Sequence, residues 1–250
     1  MNTLTRRLLA EFIGTMLLVA VVVGSGIAAE RLSPGNVGLQ LLENSTATVF
    51  GLAVLILVFG PVSGAHFNPV VSAADWLAGR RRHTGLTVAE LGVYTLGQTA
   101  GAVLGAIAAN LMFDRAAVQI STHHRLTGGH LLGETIATAG LVMVIFALAR
   151  SGRAAWSAAA VAAWIGAAYW FTSSTSFANP AVTIGRIFSD TFAGIAPTSA
   201  PGFIAAQILG GVIGLALISV LYPGTAEVAD DVVVPHPDRD APLADSRSPR

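Results

Sequence analysis

Cysteine and lysine are both missing from this 250-residue chain, and charge of any kind is scarce. Without cysteine there is no disulfide framework, no thiolate metal site and no cysteine nucleophile. All 14 basic residues are arginine, 14 acids match them, and the formal net charge is zero. No basic stripe exists, which argues against a nucleic-acid binder. Charged residues make up 11% of the chain and apolar ones 53%, whereas roughly a quarter of an ordinary soluble domain is charged. So few charges cannot cover a water-facing surface. Much of the chain is expected to face lipid.

The charges that exist are unevenly placed. Glu227, Asp230, Asp231, Asp238, Asp240 and Asp245 all follow Tyr222, among Pro223, Pro235, Pro237, Pro242 and Pro249. Residues 223–250 therefore read as a disordered, acidic, Pro-rich cytoplasmic tail with too little apolar surface to fold. A spanning helix needs about 20 mostly apolar residues. Six stretches qualify, at about 8–29, 42–60, 87–109, 131–149, 154–172 and 202–222. The first follows Arg6-Arg7 and lacks a small-residue cleavage site, so it reads as a retained span. Two apolar pieces, 68–78 and 179–191, are too short to cross; each starts at Asn-Pro and reads as re-entrant. One set of span ends holds Arg6, Arg7, Arg80, Arg81, Arg82, Arg150 and Arg153, and the other holds Arg31, Arg115, Arg125 and Arg186. That bias places both termini in the cytoplasm.

The chain repeats itself. Glu11, Asn68-Pro69 and Gln98 recur as Glu134, Asn179-Pro180 and Gln207, at offsets of 123, 111 and 109. The halves, about 6–110 and 128–222, hold three spans each, so the second must enter the membrane upside down. The expectation is an all-α membrane protein with six transmembrane helices, two re-entrant half-helices and an inverted repeat. Residues 1–222 form a single domain, with the site at the repeat interface near the midplane. Asparagine is a strong N-cap and proline suits the first helical turn, so each Asn-Pro starts a short helix. Inverted symmetry aims the two N-termini at each other, and each carries roughly half a positive charge. Such a pair repels cations and protons and favours neutral, hydrogen-bonding solutes, with the Asn68 and Asn179 amides free to donate.

Ser63-Gly64-Ala65-His66-Phe67-Asn68-Pro69 and Phe177-Ala178-Asn179-Pro180-Ala181 resemble the paired motifs of the major intrinsic protein family, the aquaporins and aquaglyceroporins. Glu11, Glu134, Gln98 and Gln207 fit the same pattern, and the resemblance covers about residues 6–222. It implies a passive pore in each protomer, a homotetramer, a plasma-membrane location and no cofactor. Two departures stand out. Val70 replaces the alanine usual after the first Asn-Pro and adds two methyls where the half-helices meet, a change expected to be tolerated. Val182 stands where the family usually places the arginine of the extracellular constriction, which implies a wider, more apolar throat. The other constriction positions fall by alignment near Thr48, Ala167 and Ser176, with Phe50, Tyr169 and Phe177 as competing assignments. Tyr169-Trp170-Phe171 reads more readily as packing or interfacial anchoring. Arg186 lies four residues after Val182, close to the same helix face, and either reaches back toward the constriction or pairs with Asp190. The pair is the favoured reading. The wording of the motifs is also similar to aquaporin-like proteins of bacterial arsenic resistance, which implies passage of neutral arsenous acid or small organoarsenicals.

Buried ionisable groups in a span are costly. Glu11 and Glu134 therefore either relay protons in a coupled secondary transporter or accept N–H groups from the non-helical backbone leading to the half-helices. The second reading is favoured, with Gln98 and Gln207 as braces. His66 borders the cytoplasmic vestibule, where lining or gating and plain packing are equally weighted. His123, His124 and His130 read as a solvated loop, so no metal site is expected. Gly97, Gly101, Gly105, Gly210, Gly211 and Gly214 offer small faces for close helix contact. No catalytic constellation is apparent, and the expected function is a passive channel for water, glycerol-like polyols and neutral metalloid hydroxides. A proton-coupled transporter using Glu11 and Glu134 is the alternative.

Overall fold

The computed structural model describes residues 3–80 and 84–222; the expected tail, with Arg81 and Arg82, lies outside the described residues. Helices α1 (Thr3–Leu32), α2 (Val37–Ser63), α4 (Val88–Met112), α5 (Gly128–Arg150), α6 (Ser157–Phe171) and α8 (Ala200–Leu221) are joined by two short ones, α3 (Pro69–Gly79) and α7 (Pro180–Gly185). Six helical segments are long and apolar enough to cross a membrane, α6 counting with the 3-10 turn Ala154–Trp156 before it. They overlap the six stretches read from the sequence. Helix starts follow local chemistry. The Asn36 side chain accepts the Leu39 N–H to open α2, and Thr87 with Glu90 forms a reciprocal capping box on α4. Thr127 accepts the His130 N–H to start α5.

The surface is turned inside out relative to a soluble protein. Leu57, Leu96 and Val220 are exposed, whereas Glu11, Gln98, Glu134 and Gln207 are fully buried. Among lipid tails, helices gain nothing from hiding leucine, so close backbone approach and polar contacts hold them together. Two pairs dominate, α1 with α4 and α5 with α8. A Cβ on Gly101 or Gly105 would run into the carbonyl oxygens of Phe12 and Met16. One on Gly210 or Gly214 would meet those of Thr135 and Ala139. The glycines repeat at the offset of 109 and their partners at 123, as the inverted repeat requires.

Gly101→Ala is expected to destabilise the protein by about 1–3 kcal/mol, the usual cost of overpacking, because its Cβ meets backbone that cannot swing aside. Gly92→Ala, whose Cβ meets open space, serves as the control and should be neutral or slightly stabilising. Thermal unfolding in detergent compares the two.

Candidate functional site

Asn68 and Asn179 cap their half-helices and also bind each other's loops. The Asn68 Oδ1 accepts the Val70 N–H at 2.9 Å, and its Nδ2 donates to the Ala178 carbonyl at 2.7 Å. The Asn179 Oδ1 accepts the Ala181 and Val182 N–H groups at 3.0 and 3.2 Å, while its Nδ2 donates to the Phe67 carbonyl at 2.8 Å. The two N-termini therefore face each other across a reciprocal clasp. One amide hydrogen of each asparagine is engaged in that clasp, and one remains for the cavity that both residues line. The amides are thus half committed to the clasp rather than wholly free to donate. Val70 lies outside the cavity lining, with its side chain against Gly211, where a Cβ would collide with it. The missing side chain at Gly211 accommodates the extra methyls.

The loops entering both half-helices are held by buried carboxylates. Glu11 accepts the His66 and Phe67 N–H groups at 3.0 and 2.7 Å, the Ser63 hydroxyl at 2.6 Å and Gln98 Nε2 at 2.7 Å. Glu134 accepts the Phe177 and Ala178 N–H groups at 2.9 and 2.8 Å and Gln207 Nε2 at 2.6 Å. Each glutamine also donates into its half-helix, Gln98 to the Ser72 hydroxyl and Gln207 to that of Thr183. The sequence reading missed Ser72 and Thr183. The repeat held the signal, since each is a hydroxyl four residues after an asparagine. Ala65, Phe67, Ser176 and Ala178 adopt left-handed backbone, with φ of 49°, 49°, 49° and 48°. That conformation costs a non-glycine residue about 1–2 kcal/mol, and it turns successive N–H groups toward one acceptor. Neither carboxylate lines the cavity, and their oxygens are occupied by the protein's own donors, which disfavours proton coupling through them.

Between these loops runs a cavity of about 620 Å³, including the parts open to solvent. Its wall is apolar. Leu18 and Val22 of α1 are matched by Leu141 and Ile145 of α5, and Leu52 and Ile56 of α2 by Val161 and Ile165 of α6. Those pairs repeat at 123 and 109 respectively. His66 lies on the side toward the N-terminus of α1, its Nδ1 3.0 Å from the Ser72 hydroxyl and its ring edge-on to Tyr94. At the other end, here called distal, Thr48, Tyr169, Ser176, Phe177, Val182 and Arg186 line the cavity. Tyr169 and Thr48 share a hydrogen bond of 3.2 Å.

Three expectations need correction at the distal end. Ala167 and Phe50 are exposed on the outside of the bundle and outside the cavity lining, whereas Tyr169 and Thr48, two positions away on the same helices, face inward. A shift of two residues turns a helical side chain by more than half a turn. Tyr169 therefore sits in the cavity wall and not among the outward-facing packing and anchoring residues expected of its run, whereas Trp170 and Phe171 are exposed. Arg186 does not pair with Asp190. The α-helix ends at Gly185 and tightens into a 3-10 turn over Arg186–Phe188, so the four-residue spacing no longer stacks the two side chains. Asn110 helps end it by donating to the Phe188 carbonyl at 2.9 Å while accepting the Ser189 hydroxyl. Asp190 instead accepts the Thr122 N–H at 2.8 Å, and that bond is the main cause holding its pKa below the ordinary 3.8. The contact stabilises above that ordinary value and is lost as pH falls through the depressed one.

Arg186 itself is 2% exposed. Its guanidinium lies 3.4 Å from the Phe177 ring centroid, and its Nε donates to the Ala193 carbonyl. Arg125, whose place here has no sign in its local sequence, lies 5.5 Å from the same ring and donates to the Gly194 and Phe192 carbonyls at 2.8 and 2.9 Å. His123 is 3.8 Å from Asp190, His124 contacts Thr198 and His130 contacts the Arg125 carbonyl. Among the described residues no group of three His, Cys, Asp or Glu side chains could hold a metal ion.

The chain is similar to known proteins. The family model described as "Major intrinsic protein" matches residues 1–178. Aquaglyceroporin AqpS of Rhizobium meliloti is 48% identical over 217 residues, spanning 86% of this chain and 89% of that protein. Aquaporin AqpM of Methanothermobacter thermautotrophicus is 29% identical, spanning 89% and 98%. The X-ray structure of the aquaglyceroporin from Plasmodium falciparum superposes with a TM-score of 0.58 at 21% identity, over 91% of this chain and 99% of that one, which shows a common fold.

Proposed function

The chain belongs to the major intrinsic protein family, a multi-pass family of channels rather than enzymes, and on that footing we propose that it is a passive pore for small uncharged solutes. Water and glycerol-like polyols are the solute class, and neutral metalloid hydroxides such as arsenous acid join them because they match glycerol in size and hydroxyl content. The observation that carries the reading is the meeting of two half-helix N-termini at the cavity, each with an asparagine N–H still available. Two partial positive charges oppose protons and metal ions there, while the amides replace lost hydration for a hydroxyl. Asn68, Pro69, Val70, Asn179, Pro180 and Ala181 build that crossing. Thr48, Tyr169, Ser176, Phe177, Val182 and Arg186 form the selective end, and His66 lines the opposite vestibule. Glu11, Glu134, Gln98 and Gln207 hold the loops. The arginine bias supports both termini being cytoplasmic and the distal end outside, and the family resemblance supports a plasma-membrane location and a homotetramer.

Stopped-flow light scattering of proteoliposomes, with neutral solutes of graded size, tests this. Swelling should follow each solute's gradient, ignore an imposed pH gradient and fall off above glycerol size. Proton or K⁺ currents in a planar bilayer would overturn it.

A further inference from the structure

The distal end carries more positive charge than a pore for neutral solutes needs. Arg186 and Arg125 both hold their guanidinium carbons within 5.5 Å of the Phe177 ring centroid. Among the described residues neither forms an ion pair with a carboxylate. Glu134 is bound to the backbone of the Phe177 residue on which both arginines lie, and its oxygens are already taken by Phe177, Ala178 and Gln207. Two cations therefore lie beside one carboxylate that is already fully bonded and pairs with neither. The Arg186 Nε is used on Ala193, but its two terminal nitrogens make no hydrogen bond to any described residue, and the side chain lines the cavity. The Ser176 hydroxyl, 3% exposed in the same wall, is also without a partner.

We propose that the distal mouth is a binding site for a small planar oxyanion, which docks on the open fork of Arg186 and the Ser176 hydroxyl, with Arg125 as the second charge. A guanidinium presents parallel N–H groups that match two oxygens of a planar anion. A buried charge without a counter-ion is costly, so an anion gains more here than a neutral polyol does. The anion goes no further. Inward of the site the wall is Leu18, Val22 and Leu141, where an ion stripped of its water is strongly disfavoured. The bound anion therefore blocks the mouth and slows neutral flux.

The block rests on the channel reading, but binding does not, and the experiment separates them. Nitrate is the probe, exchanged for chloride at constant ionic strength with the full-length protein. Nitrate should slow glycerol-driven swelling of proteoliposomes and raise the unfolding temperature in detergent relative to chloride. Both effects should vanish in Arg186→Gln, weaken about tenfold in Arg125→Gln and weaken about tenfold in Arg186→Lys, which keeps the charge without the fork. No effect of nitrate on the unfolding temperature of the unaltered protein would overturn the proposal. So would an effect that survives in Arg186→Gln, or a nitrate current through the pore. Should Arg186→Gln not fold, full nitrate affinity in Arg186→Lys overturns the fork. Vesicles without any solute flux would instead sink the channel reading and leave the unfolding measurement to decide the site.

Discussion

Glu11→Ala is expected to yield no functional channel and little folded protein. Four donors lose their acceptor at once: the Ser63 hydroxyl, the His66 and Phe67 N–H groups and the Gln98 amide. Each buried donor left unpaired costs about 1–3 kcal/mol, against a total stability of about 5–15 kcal/mol for a typical domain. The left-handed backbone at Ala65 and Phe67 also loses the contacts that offset its strain. Size-exclusion yield, unfolding temperature and glycerol swelling should fall together. Glu11→Gln keeps one acceptor oxygen and should be milder. If that variant folded, passed glycerol normally and lost only a response to a pH gradient, the glutamate would be a coupling group and the structural reading would fail.

Val182→Arg should lower glycerol flux by about tenfold or more, equal to about 1.4 kcal/mol of barrier, while water flux falls far less. Val182 is 5% exposed and lines the distal cavity one turn before Arg186. An arginine there fills the throat and adds a third cation beside Arg186 and Arg125, so the largest solutes lose most. Paired stopped-flow traces for water and glycerol give the ratio directly. An unchanged ratio would show that the narrowest point lies elsewhere, and Val182→Ala should then also leave it unchanged.

Much of this architecture was legible because polar residues inside a lipid-facing chain have few acceptable places. Two Asn-Pro pairs in short apolar pieces, two glutamates and two glutamines sufficed to outline the crossing and its supports. Rotation about a helix axis was harder to read. In a soluble helix the wet face is polar and marks the inside by contrast. Here lipid, neighbouring helices and the cavity wall all accept Ala, Val, Leu and Phe, so nothing near Thr48 or Ala167 told Phe50 from Thr48 or Ala167 from Tyr169. Packing across the bundle decides that, as it does for the end of α7. A periodic spacing from Arg186 to Asp190 assumes a helix that Asn110, far away in sequence, helps to terminate. The approach of Arg125 to Phe177 depends on a loop between the halves and had no local sign.

The reciprocal clasp of Asn68 on Ala178 and Asn179 on Phe67 bears on how the chain is made. During synthesis the first half emerges from the ribosome alone, its early asparagine and the Phe67 carbonyl lacking mates that are more than a hundred residues from being translated. Hydrocarbon tolerates such orphaned backbone poorly. The leading half must wait in a partly wet, unfinished state, and the trailing half is the piece that locks it.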